Sequence, residues 1–145
     1  MVIPIVLKEG ATMPVFKTDQ AACADLCAFV LDTINVTIKA GETALIRTGV
    51  FIELPQGYVA QIHIRSGIGF NKELALINST GIIDSDYRGE IMLKLINQGK
   101  ETQVINHGDA VAQMMILKHE RPSFELVAQL GDTARGTGGF GSTGV

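Results

Sequence analysis

Tyr58-Val59-Ala60-Gln61-Ile62-His63-Ile64-Arg65 alternates: Tyr58, Ala60, Ile62 and Ile64 fall on one face, and Gln61, His63 and Arg65 on the other. A period of two is the signature of a half-buried β-strand. Working outward, similar β-rich segments recur at Val2 to Leu7, Ile34 to Ile38, Glu42 to Leu54, Ile91 to Ile96, Thr102 to Ile105, Val111 to Leu117 and Phe124 to Ala128. Turn-forming residues separate several of them: Ala40-Gly41, Pro55-Gln56-Gly57, Asn97-Gln98-Gly99-Lys100 and Asn106-His107-Gly108-Asp109. Many short strands with turns at close spacing predict an all-β sandwich or jelly roll. Helical periodicity is scarce, and Gly67 to Glu73 is the best place for one short helix.

The chain has 145 residues, enough for one domain that buries about 70% of the surface its unfolded form exposes. With 46% apolar residues it reads as globular, and a net charge of −3 gives no basic footprint for a nucleic-acid polymer. Cys23 and Cys27 form no zinc-site spacing and read as small buried hydrophobes. Two cysteines and no signal peptide lead us to expect a reducing cytoplasm. No apolar run approaches the roughly 20 residues of a membrane span.

The composition changes after residue 130. Gly131 to Val145 holds six glycines, four Thr or Ser, and a single aromatic, Phe140. Such a segment cannot bury enough surface to order itself. It reads either as a disordered tail or as an arm that orders over a ligand and offers backbone N–H groups to phosphate. We expect residues 1–130 to form the core and residues 131–145 a flexible arm of the same domain.

Three places could carry chemistry. In Gly81-Ile82-Ile83-Asp84-Ser85-Asp86-Tyr87-Arg88-Gly89-Glu90, five ionisable side chains fall within seven residues. By composition alone a solvated hairpin tip is the better reading, and a pocket rim the alternative. Arg65-Ser66-Gly67 ends the Tyr58 strand with a planar cation, a hydroxyl and a residue that allows close backbone approach, a set suited to phosphate but weak alone. Arg135 to Gly144 resembles a phosphate-cradling loop in composition, although it lacks the Gly-Lys-Ser/Thr ending of a P-loop. A lone aromatic among glycines would make sense as a lid over a planar base. The chain has no G-x-S-x-G elbow, no H-E-x-x-H, and no H-x-E with P-C-x-x-C. His63, His107 and His119 are scattered.

Taken in order, these segments resemble the trimeric dUTPase family over Asp19 to Gly144. Ala22-Cys23-Ala24-Asp25-Leu26 is similar to its first motif, Arg65-Ser66-Gly67 to the second, and Asn78 with Gly81 through Gly89 to the third. Gly108-Asp109-Ala110-Val111-Ala112-Gln113 is similar to the fourth, and Arg135 to Gly144 to the fifth. The third and fifth are highly specific, and the ordered set overturns the solvated-tip reading of the acidic cluster. Cys23 stands where the family usually has Gly, Ile64 where Pro is common before the Arg, and Ala110 where Arg is frequent.

The resemblance implies a distorted jelly-roll homotrimer whose sites each draw on more than one subunit. It implies hydrolysis of dUTP to dUMP and pyrophosphate with Mg²⁺, which removes dUTP from the nucleotide pool and supplies dUMP for thymidylate synthesis. Asp84 would be the general base for the attacking water. Tyr87 would pack under the deoxyribose and exclude a 2′-OH. Asn78 and backbone groups at Ile82 and Ile83 would read the uracil edge, with Met92 lining the pocket. Arg65, Ser66, Gly67 and Gln113 would meet the phosphates, and Asp25 would act on Mg²⁺ through a water. Arg135 would reach the terminal phosphate, Phe140 would stack on uracil, and Gly141 and Ser142 would close on the phosphates. The rival readings are a dCTP deaminase of the same fold, a non-enzymatic dUTP-responsive module, and a structural β-sandwich.

Overall fold

The structure, a computed structural model, describes all residues except Asp32, Thr143 and Val145. In chain order the elements are β1 (Ile5–Leu7), β2 (Val15–Phe16), β3 (Ala24–Cys27), β4 (Asn35–Ile38), β5 (Thr43–Arg47), β6 (Val50–Ile52) and β7 (Tyr58–Ile64). They continue with α1 (Ser66–Lys72), β8 (Leu74–Leu76), β9 (Gly81–Ile83), β10 (Met92–Asn97), β11 (Gln103–Asn106) and β12 (Ala110–Lys118). The strands form a five-stranded sheet in the order β2-β3-β12-β7-β9, a three-stranded sheet β5-β10-β8, and two pairs, β1-β6 and β4-β11. All pairings are antiparallel. Strands distant in sequence are neighbours in space, and the result is the all-β jelly roll that the strand pattern and the resemblance both led us to expect.

The alternation of the Tyr58 segment is obeyed in β7. Ala60 and Ile62 are fully buried, while Gln61 and His63 on the other face are half-buried. β10 repeats the rule with Leu93 and Leu95 inside and Met92 and Lys94 outside. These side chains join Leu26, Ile46, Val50, Leu74, Ile105 and Val111 in one apolar cluster between the sheets. Each fully buried Leu or Ile stabilises the fold by about 1.5–3 kcal/mol relative to exposure. The predicted helix is present, one residue earlier than expected. Among the described residues no helix is long and apolar enough to cross a membrane.

Two expectations are corrected. Glu42 to Leu54 is two strands in different sheets, because Gly49 adopts φ 67° and turns the chain between them. A Cβ there would meet the Ala11 methyl and the Phe29 ring, so glycine is required by space as well as by conformation. The break is held by Thr48, whose buried hydroxyl donates to the Ile91 carbonyl at 2.6 Å and accepts from the Val50 amide at 3.2 Å. Phe124 to Ala128 forms no strand, since no strand among the described residues pairs with it; residues 121–130 are all exposed, Leu126 fully. A strand without a neighbour has no ladder to stabilise it.

One buried polar side chain ties the turn after β10 to the core. Asn97 is completely buried; its Nδ2 donates to the carbonyls of Ile38 (2.9 Å) and Glu101 (2.8 Å), and its Oδ1 accepts from the Gly99 amide (3.0 Å). Asn97→Ala leaves these backbone groups without partners and is expected to lower the unfolding free energy by about 3 kcal/mol, read by urea titration at fixed protein concentration. A change below about 1 kcal/mol would show that water replaces the amide.

Candidate active site

The first cleft lies at the end of β3, β12 and β7. Register places Gln113 of β12 opposite Asp25 on one side and opposite His63 on the other, so residues far apart in sequence share one row across the sheet. Arg65 follows directly on β7 and leads into α1. The cleft has a volume of about 360 Å³ and is lined by Lys17, Ala21, Ala22, Cys23, Asp25, Arg65, Ser66 and Gln113. Four of its side chains can donate to an anion: Lys17, Arg65, Ser66 and the Gln113 amide. The amides of Ser66 and Gly67, first in α1, have no helical carbonyl to bond.

Asp25 is buried, at 6% exposure. Its Oδ1 pairs with Arg65 Nε at 3.1 Å, and Arg65 Nη1 donates to the Ala110 carbonyl at 3.0 Å. That last contact uses the backbone, so alanine at position 110 keeps it. Asp25 Oδ2 has no protein partner among the described residues. A buried carboxylate oxygen left unpaired is costly, and its position at the cleft fits a polar ligand or a cation-bound water. The same carboxylate acts on its neighbour: burial first, and the Asp25 charge second, push the Cys27 thiol above its ordinary value, against opposing effects of Lys17, Arg65 and a hydrogen bond with Thr12. Cys27 is therefore an inert buried thiol, as the sequence suggested, whereas Cys23 is half-exposed in the cleft wall.

The second cleft, of about 240 Å³, is lined by Ile82, Ile83, Asp84, Tyr87, Glu90 and Met92. It forms where β9 ends and the chain turns before β10. The Tyr87 amide donates to the Asp84 carbonyl at 3.2 Å, closing a turn that leaves the Asp84 side chain exposed. Glu90, barely exposed, anchors the far end of this turn. Its carboxylate accepts from Arg47 Nε and Nη2 (3.2 and 2.9 Å) and from the Gly49 amide (2.9 Å), and pairs with Lys8 at 3.3 Å.

The expected site residues thus fall into separate groups. Asp25, Arg65, Ser66 and Gln113 line the first cleft; Ile82, Ile83, Asp84, Tyr87 and Met92 line the second. Gly67 sits in the first turn of α1 beside the first cleft wall. Asn78 occupies the β8–β9 turn, outside both linings. Arg135, Phe140, Gly141 and Ser142 are exposed, and the hydrogen bonds found in residues 131–142 stay within the arm, such as Arg135 Nε to the Gly138 carbonyl. The fifth motif's Thr143 lies outside the described residues. Lys17 and Glu90 were missed by sequence reasoning. Lys17 carries no local signal, while Glu90 was visible in the ionisable cluster without a role.

The two clefts share no residue. Ile83 pairs with Ala60, so Asp84 lies level with Val59, six strand residues before Arg65. At about 3.4 Å per residue, Asp84 and Arg65 of one chain are separated by about 20 Å along β7.

Comparison with known proteins bears on this arrangement. The family model described as dUTPase matches residues 9–144. The deoxyuridine 5'-triphosphate nucleotidohydrolase of Maricaulis maris (strain MCS10) is 42% identical over 147 residues, covering 98% of this chain and 97% of the relative. That of Rickettsia bellii (strain OSU 85-389) is 50% identical over 133 residues, covering 92% and 87%. A Staphylococcus bacteriophage 80alpha dUTPase solved with dUpNHpp superposes with a TM-score of 0.89 at 24% identity, covering 99% of both chains. A dUTPase from phage phi11 of S. aureus, described with a structural Mg(II) ion, superposes at 0.81 with 24% identity over 91% of this chain and 100% of its own. The structures share the fold, the family model and the sequence relatives each span most of the chain, and the chain belongs to the dUTPase family.

Proposed function

We propose that this chain hydrolyses dUTP to dUMP and pyrophosphate at sites built between copies of itself, in a homotrimer. The carrying observation is the separation of the two clefts: the cationic one and the one holding Asp84 are too far apart in a single chain to hold one triphosphate. A second observation agrees. Phe124, Leu126 and Leu130 are almost wholly exposed, and so is Phe140, which suits a segment covered by a partner copy.

In this reading the uracil and deoxyribose enter the cleft of Ile82, Ile83, Asp84, Tyr87 and Met92. Backbone groups at Ile82 and Ile83, with Asn78, read the base edge. The Tyr87 ring packs under the sugar and leaves no room for a 2′-OH. The phosphates extend to the cleft of a neighbouring copy, where Arg65, Ser66, Gly67 and Gln113 meet them. Asp84 holds a water in line with the α-phosphorus. As the water oxygen bonds to phosphorus, its proton passes to the Asp84 carboxylate, the bond to the β-phosphate oxygen breaks, and pyrophosphate leaves. The arm closes with Arg135 on the terminal phosphate, Phe140 on the base, and Gly141 and Ser142 over the phosphates, which excludes bulk water and fixes the geometry.

Magnesium fits this site in a limited way. Among the described residues no group of three or more His, Cys, Asp or Glu side chains could cage an ion. Among the described residues Asp25 Oδ2 is the buried carboxylate oxygen without a partner, which favours an ion that arrives on the triphosphate and keeps several waters. When bound, it would neutralise phosphate charge; Asp25 would orient it through a water.

Product analysis tests the reaction. With Mg²⁺, only dUTP among dUTP, dCTP, dTTP and UTP is expected to yield the monophosphate and pyrophosphate; ammonia release from dCTP would overturn the reading. Asp84→Asn is expected to bind dUTP while kcat falls by about 10²–10⁴-fold, measured by titration and steady-state kinetics. The assembly has its own test. Asp84→Asn and Arg65→Ala subunits, each inactive alone, are expected to recover activity when refolded together, because a mixed trimer contains sites with both halves intact. No recovery in mixtures whose light scattering shows trimers would place both residues in the same copy's site.

A further inference from the structure

The Tyr87 ring folds back across the chain that follows it. A methyl carbon built on Gly89 would fall on Tyr87 Oη and Cζ and lie 2.9 Å from Cε2. Gly89 is not among the residues with positive φ, so its backbone would accept any side chain. The missing Cβ is needed for one reason, the ring that occupies its place. Tyr87 Oη also donates to the Glu90 carbonyl at 2.9 Å, holding the ring down at its tip.

The seat under the ring is firm. Glu90 is fixed to three separate parts of the body: Arg47 on β5, the Gly49 amide before β6, and Lys8 after β1. Its side chain is only 9% exposed, and its partners Lys8 and Arg47 reach it from half-exposed positions. Tyr87 itself is 40% exposed, and of the two groups in close contact it is the one free to move. A residue larger than glycine at position 89 therefore displaces the ring and leaves the backbone in place.

We infer that Gly89 and Glu90 are positioning residues that set where the Tyr87 ring stands in the cleft, and through it the discrimination of deoxyribose from ribose. This rests on the reading of Tyr87 as the group that excludes a 2′-OH. Exclusion of one hydroxyl by contact is sensitive to small shifts of the excluding group. A ring lifted off Gly89 loses its bond to the Glu90 carbonyl and its fixed height, and the cleft then admits the extra oxygen.

The test compares Gly89→Ala, Tyr87→Ala and the double variant by the ratio of kcat/KM for dUTP to that for UTP. Gly89→Ala is expected to lower the ratio about tenfold, the range in which a pocket discriminates one small group. In the Tyr87→Ala background the same substitution is expected to change the ratio little, since the ring it displaces is gone. Tyr87→Phe, which keeps the ring and loses the bond to Glu90, is expected to lower the ratio less than Gly89→Ala. It also serves as the second probe if Gly89→Ala does not fold. A ratio unchanged in Gly89→Ala, while Tyr87→Ala lowers it, overturns the seat and leaves the Tyr87 reading standing. Losses that multiply in the double variant overturn it as well, because Gly89 then acts elsewhere. A ratio unchanged in Tyr87→Ala itself refutes the Tyr87 reading, and the seat with it.

Discussion

β12 is paired along both edges, with β3 on one side and β7 on the other, and everything in the first cleft depends on that double register. A slip of one residue would turn Gln113 inward and Met114 outward, burying an amide in the apolar cluster and exposing a core side chain. The cost of that exchange fixes the register. The fixed register puts Gln113 in one row with Asp25 and His63, and β7 then carries Arg65 to the mouth of the same cleft. Hydrophobic burial on the inner face thus positions the polar groups on the outer one.

The buried polar groups fall into two kinds. Asn97 and Thr48 have their hydrogen bonds within the chain, and they hold turns and strand breaks that apolar packing could not specify. Asp25 is different, since one carboxylate oxygen meets Arg65 and the other has no partner among the described residues. A fold that needed only stability would be served as well by an apolar residue there. An open valence in a cleft with Lys17, Arg65 and Ser66 is a feature of a binding surface.

The separation of the clefts along β7 gives family membership a physical content. A single chain of this fold presents a cationic cleft and an acidic, partly apolar one on the same sheet, about 20 Å apart. It also presents an exposed apolar segment, with Phe124, Leu126 and Leu130, and a glycine-rich arm whose described residues are nearly all exposed. These features are accounted for together if the working unit contains several copies.

The sequence by itself determined the alternation of β7 and β10, the turn residues, the short helix after Arg65 and the motifs that mark the family. Each is written in local spacing, and local spacing decides which face a residue takes and where a chain turns. It did not determine the break at Gly49, because that glycine answers to Ala11 and Phe29, which reach it only through the fold. Nor did it determine that Phe124 to Ala128 lacks a strand partner, that Glu90 anchors the turn of Tyr87, or that Gly89 leaves room for the ring. Strand period names a face, but the partner, the register and the distance between two clefts come from contacts between residues far apart in the chain, and only the tertiary structure decides those.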